Sequence, residues 1–120
     1  MSAKHKTKAL VIHCIDFRFQ DRIQEHLVNV DSISKFDRIS WPGASKDFDN
    51  VSRAADISLK LHDPDQVYIY EHDDCGAYGE DNSEDAHRKN AYRLKTFLQE
   101  KKPSIKVMTL IATFDGIKAL

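Results

Sequence analysis

Ala9-Leu10-Val11-Ile12-His13-Cys14, running on into Ile15-Asp16-Phe17-Arg18, is the stretch on which the fold turns. Its first part is short, apolar and rich in branched residues, which predicts a strand over Ala9–Cys14 that ends in polar chemistry. The period then changes. Phe19, Ile23, Leu27 and Val30 fall at helical spacing and predict a helix from about Phe19 to Val30 with one buried face. The same alternation continues outward from this unit. Strands are expected over Asp37–Trp41, Gln66–Glu71 and Ile105–Thr113. A second helix is expected from about Phe48 to Leu61, where Phe48, Val51, Ala55 and Leu59 repeat, Asp47 offers an N-cap and Pro64 follows. A third runs from about Ser83 to Lys101, with Ala91, Leu94 and Leu98 toward one side and Pro103 beyond its end. Strands alternating with helices predict an α/β fold: a single domain with a mainly parallel four-stranded sheet, right-handed crossovers and flanking helices. The expected strand order is 2-1-3-4. In such sheets, ligands bind beyond the carboxyl ends of the strands, where the strand order reverses.

The 120 residues, 41% of them hydrophobic, suffice for one core, so the whole chain reads as one domain with residues 1–8 as a basic, solvated leader. Lys and Arg total 18 against 19 Asp and Glu, a net charge of −1, which gives no basic excess for nucleic-acid binding. Apolar runs such as Ala9–Ile12 and Leu110–Ala112 are far too short to span a membrane. The N-terminus carries no cleavage-site pattern of a signal peptide, so a cytoplasmic location is expected. There the two cysteines, Cys14 and Cys75, are expected to be reduced and open to metal ligation or thiol chemistry, with a disulfide as the alternative.

Cys14 closes the first strand, and His72 and Cys75 follow the third in Tyr68-Ile-Tyr-Glu-His-Asp-Asp-Cys-Gly-Ala-Tyr-Gly79. If strands one and three are neighbours, both groups flank the reversal point and converge on one ion. Two thiolates and one imidazole suit Zn2+, and three protein ligands leave a fourth position open, as catalytic zinc sites do. Asp16 and Arg18 alternate with Phe17, which places a carboxylate and a guanidinium on one side where they can pair bidentately beside the metal. The competing reading is two inert core cysteines and a surface ion pair. Among the other histidines, His5 falls in the leader, His26 and His87 in charged helices and His62 near a helix end, while His13 points to the opposite strand face. None is assigned to the metal, with His87 at the site mouth as an alternative proton shuttle. Gly43 and Gly76 read equally as turn glycines or as points of close backbone approach. Asp73 and Asp74 read as solvated or capping carboxylates.

Cys-x-Asp-x-Arg at Cys14, Asp16 and Arg18, followed by His-x-x-Cys-Gly at His72, Cys75 and Gly76, resembles the β-class carbonic anhydrases. The likeness extends through Arg38-Ile-Ser-Trp-Pro-Gly-Ala44, similar to the family's second strand and following turn, and ends in Ile111-Ala-Thr-Phe-Asp-Gly116, similar to its last core strand. The resemblance implies a zinc-dependent lyase that reversibly hydrates carbon dioxide to bicarbonate by a metal-bound hydroxide. Cys14, His72 and Cys75 would be its metal ligands and Asp16 and Arg18 its catalytic dyad. Gly43, Ala44 and Gly76 would lie against the small-molecule substrate. It also implies a homodimer or higher homo-oligomer, although the family's N-terminal arm and longer C-terminal region have no counterpart here. In some members the aspartate leaves its arginine to occupy the metal's fourth position, so activity is expected to rise from neutral to alkaline pH. Three positions depart from the family pattern: Pro42, which offers no N–H, stands in the turn; Phe17 replaces a serine; and Glu71 stands where a glycine often precedes the histidine ligand. Some members hydrolyse carbon disulfide or carbonyl sulfide with the same ligands, and an apolar entrance lined by Phe17, Phe19 or Tyr78 would suit such substrates. A noncatalytic zinc-binding module is the alternative from outside enzymology.

Overall fold

The computed structural model describes residues 5–120. Five strands form one sheet in the order β2-β1-β3-β4-β5, built from β1 (Ala9–His13), β2 (Asp37–Ser40), β3 (Gln66–His72), β4 (Lys106–Ala112) and β5 (Ile117–Ala119). The first four are parallel and stand in the expected order, with Ile12 of β1 opposite both Ile39 of β2 and Ile69 of β3. The expected four-stranded sheet is corrected by β5, which adds antiparallel to β4. It is only three residues long, too short to carry a period, and it is set by the turn before it. There the Thr113 N–H donates to the Gly116 carbonyl at 2.7 Å, and Thr113 Oγ1 accepts from the N–H groups of Asp115 and Gly116.

Alternation along the central strands sorts the core into two layers. Leu10, Ile12, Val67 and Ile69 pack beneath α2 (Phe48–His62) and α3 (Glu84–Lys101), against Val51, Ala55, Leu94 and Leu98. Ala9, Val11, Tyr68 and Tyr70 face the other way, against Phe19, Ile23 and Leu27. These last three belong to the segment expected as one helix. It divides into a 3-10 turn (Phe17–Phe19), α1 (Gln20–Glu25) and a π-turn (His26–Val30), in which the Asp31 N–H reaches back to the His26 carbonyl at 3.0 Å. The caps of the other helices follow the sequence signals. Asp47 accepts from the Asn50 N–H, and Ser83 is the N-cap of α3 rather than its first residue, accepting from the Ala86 N–H at 3.1 Å.

Of the expected basic leader, residues 1–4 lie outside the described residues. The remainder is tied to the loop before β3: Lys6 Nζ pairs with the Asp65 carboxylate at 2.7 Å, and the Thr7 N–H donates to the His62 carbonyl at 2.9 Å. No described helix is long and apolar enough to cross a membrane.

Candidate metal centre

β1 and β3 are neighbours, so their carboxyl ends lie side by side where the strand order reverses. Cys14 leaves β1 there, His72 is the last residue of β3, and the following turn returns Cys75 toward both. All three are buried, and their ligand atoms lie within 4.8 Å of one another. The two Sγ atoms are 3.9 Å apart. Two thiolates on a tetrahedral zinc would be separated by about 3.8 Å, given a Zn–S bond of ~2.3 Å. His72 Nδ1 lies 2.7 Å from the Asp73 carbonyl, to which it donates as N–H, while its Nε2 is buried with no hydrogen-bond partner. That tautomer leaves the Nε2 lone pair for a metal, and a backbone carbonyl on the other ring nitrogen is the usual support for a ligating histidine. A buried orphan nitrogen facing two thiols is the donor set that Zn2+ fits. The second buried orphan among the described residues is His13 Nε2, whose ring bonds the Cys14 carbonyl through Nδ1 at 2.8 Å and stays outside the trio.

The thiols are tuned as a pair. The Cys14 thiol is drawn well below its ordinary range by the hydrogen bond from the Cys75 thiol. The adjacent His72 ring and the Gly43 and Asp16 N–H groups add to this against the cost of burial. Cys75 is pushed up by the same shared proton and by burial. Burial lowers His72, but the neighbouring Cys14 sulfur and the bond to the Asp73 carbonyl outweigh that, and the ring is raised overall.

Beside the trio, Asp16 is clamped by Arg18. Nε lies 3.0 Å from Oδ1 and Nη2 2.7 Å from Oδ2, and the Arg18 backbone N–H donates to Oδ1 at 3.0 Å. These contacts, the side-chain bond first, hold the Asp16 carboxyl down at about 2. Asp16 Oδ2 is also 4.0 Å from His72 Nε2, close to the trio while bound to Arg18. Arg18 has a second partner that the sequence reading left among solvated residues: Nη1 pairs with Asp74 Oδ2 at 3.0 Å, and Nη2 donates to the Asp74 carbonyl at 2.9 Å. Asp74 reaches this position through a left-handed backbone, φ +54°.

A cleft of about 580 Å³ opens over these groups, lined by Cys14, Asp16, Arg18 and Asp74 with Phe17, Pro42 and Gly76 on its rim. Of the aromatic residues expected at its entrance, only Phe17 is there, 85% exposed. Phe19 is buried against His72, with ring centroids 4.7 Å apart, and Tyr78 is buried with its hydroxyl on Glu71. Among the backbone positions expected near substrate, Gly76 lines the cleft. Gly43 and Ala44 do not: the Gly43 N–H donates to Cys14 Sγ at 3.3 Å, and the Ala44 N–H to the Trp41 carbonyl at 2.9 Å. Gly43 adopts φ +76°, and a Cβ there would meet the Ala77 Cβ at 3.1 Å, so this turn requires glycine.

Glu71 and His87 are the residues that the sequence reading undervalued. Glu71 accepts from Ser45 Oγ at 2.7 Å, Tyr78 Oη at 2.5 Å and His87 Nδ1 at 2.7 Å, all in the interior. His87 is 1% exposed rather than at the site mouth. The signals were periodic. His87 precedes Ala91, Leu94 and Leu98 on the buried stripe of α3, and Glu71 continues the inward alternation of Val67 and Ile69.

Comparison with known proteins shows the family and the fold. Residues 4–116 match a family model described as "Putative carbonic anhydrase". An uncharacterized protein of Rickettsia bellii is 26% identical over 94% of this chain and 80% of its own length. A second, from Rickettsia conorii, is 27% identical over 94% of this chain and 71% of its own. Among solved structures, a carbonic anhydrase from Glaciozyma antarctica superposes with a TM-score of 0.64 over 97% of this chain and 83% of that one. At 12% identity it is a likeness of fold. With nearly the whole chain inside the family model, the protein belongs to this carbonic anhydrase family.

Proposed function

We propose that the protein reversibly hydrates carbon dioxide to bicarbonate, with Cys14, His72 and Cys75 holding Zn2+ and with Asp16 and Arg18 as the catalytic dyad. The observation that carries this is the unpartnered His72 Nε2, which faces two thiols and lies 4.0 Å from an Arg-clamped carboxylate that lines an open cleft. A zinc ion bound there supplies the Lewis acidity that makes water a competent nucleophile near neutral pH. The chain's own groups do the rest. Arg18 keeps Asp16 ionised and fixes both of its oxygens, so Oδ2 can accept a hydrogen bond from the reacting water and hold its orientation. Ile15, Phe17 and Pro42 give the cleft an apolar wall, which suits a small apolar substrate. Gly76 lies on the same wall, where its backbone can flank the product anion. Carbonyl sulfide and carbon disulfide share that apolar, linear shape and enter as competing substrates in the same assay.

The test is stopped-flow carbon dioxide hydration by zinc-loaded protein and by Arg18→Ala. Hydration well above buffer, reduced by a factor of about 100 or more in Arg18→Ala with the metal retained, is the expected result. No hydration by a fully zinc-loaded wild type would overturn the assignment. Turnover of the carbon–sulfur substrates alone would redirect it to a hydrolase.

A further inference from the structure

β3 ends in two consecutive buried residues on opposite faces, His72 toward the thiols and Glu71 away from them. The three donors on Glu71 come from three separate elements. Ser45 sits in the turn after Gly43, whose N–H contacts Cys14 Sγ; Tyr78 sits in the turn after Cys75; and His87 sits on α3. The far side of the His87 ring meets Asn82. When the Asn82 amide nitrogen donates to His87 Nε2 at 2.6 Å, the amide oxygen is left to accept from the backbone N–H groups of Asp74 at 3.1 Å and Cys75 at 2.9 Å. This orientation satisfies every member. With Nε2 an acceptor, Nδ1 carries the proton and donates to Glu71. A continuous chain of hydrogen bonds then runs from the buried Glu71 carboxylate through His87 and Asn82 to the main chain of the turn that carries Cys75.

We propose that Glu71, His87 and Asn82 form a positioning relay that fixes the Cys75 turn, and with it the Cys75 sulfur and the Arg18-binding carbonyl of Asp74, in the geometry that takes the metal. The inference rests on the metal-site reading above and adds residues to it that touch neither the metal nor the substrate. The Asp74–Cys75 backbone is the element in need of such support. It leaves the end of β3 through the left-handed Asp74, and its N–H groups would otherwise have only solvent or nothing to bond. Outer groups that orient a ligand change metal affinity by about 10–100-fold when removed.

Asn82 is the member to alter, because it lies in a partly exposed loop whereas Glu71 and His87 are buried. Zinc affinity by chelator competition, and the absorption spectrum of the cobalt(II)-substituted protein, would be measured for wild type, Asn82→Ala and Asn82→Asp. Asn82→Ala is expected to raise the zinc dissociation constant by about 10–100-fold and to broaden the cobalt bands, while the metal-free protein still unfolds cooperatively from a folded state. Asn82→Asp retains an oxygen for both N–H groups, with the His87 ring taking up a second proton from solvent so that Nδ1 still donates to Glu71 and Nε2 donates to the new carboxylate, and is expected to restore affinity. Wild-type affinity in Asn82→Ala would overturn the relay and leave the metal site standing, as would equal losses in both variants. Failure of the wild type itself to bind zinc or cobalt would overturn the metal site and the relay together.

Discussion

His72 and Glu71 are adjacent in sequence, equally buried at 2% exposure, and opposite in how their polar atoms are treated. Glu71 is surrounded by donors from three elements and has nothing left to offer a ligand. His72 has one nitrogen tied to a backbone carbonyl and the other bare. A buried polar atom without a partner is costly, and at His72 the bare nitrogen is the one of the two such atoms among the described residues that sits beside two thiols and an Arg-clamped carboxylate. Burial alone therefore does not separate scaffold from site at the end of β3; hydrogen-bond satisfaction does. Glu71 holds the turns together, and His72 keeps one nitrogen without a partner in the described chain.

The largest effect expected from breaking this contrast is on the scaffold side. Glu71→Ala leaves the donors of Ser45, Tyr78 and His87 facing one another in the interior and should cost about 3–5 kcal/mol in urea unfolding of the metal-free protein followed by circular dichroism. A loss below about 1 kcal/mol would mean that the network is ornamental and the contrast false.

A smaller effect belongs to the exposed edge of the site. Asp16 titrates at about 2 in the folded protein against an ordinary 3.8, held down first by its bond to Arg18. A depressed carboxyl stabilises the fold fully above its ordinary value, and that contribution is lost as pH falls through about 2. The gap in unfolding midpoint between wild type and Asp16→Asn should therefore be constant near neutrality and close as the pH is taken from 4 toward 2. A gap independent of pH over that range would place the stabilisation elsewhere than in the ion pair.

Much of the architecture was legible because its signals are repetitive. Four strand-sized apolar runs and three helical periods suffice for a mainly parallel α/β fold, and the expected order 2-1-3-4 brings Cys14 to His72 and Cys75. What escaped was set by partners distant in sequence. β5 exists because Thr113 builds the turn that returns the chain onto β4, and three residues carry no period of their own. Asp74 reads as a surface carboxylate until the fold places Arg18 beside it. Charged residues on a polar helix look like solvated surface, which hides His87 although it lies in phase with Ala91, Leu94 and Leu98. The turn at Gly43 and Ala44 is a different case. The residue types at Gly43 and Ala44 matched an expected role, but their N–H groups are already committed within the chain.

The central claim is that His72 Nε2 and the two thiols are incomplete without a metal. It is tested most directly by the zinc content of purified, untagged protein kept under reducing conditions, measured by inductively coupled plasma mass spectrometry against protein concentration. The expected result is about one zinc per chain. Protein that carries no zinc, and takes up none when it is offered in excess under the same reducing conditions, would contradict the account.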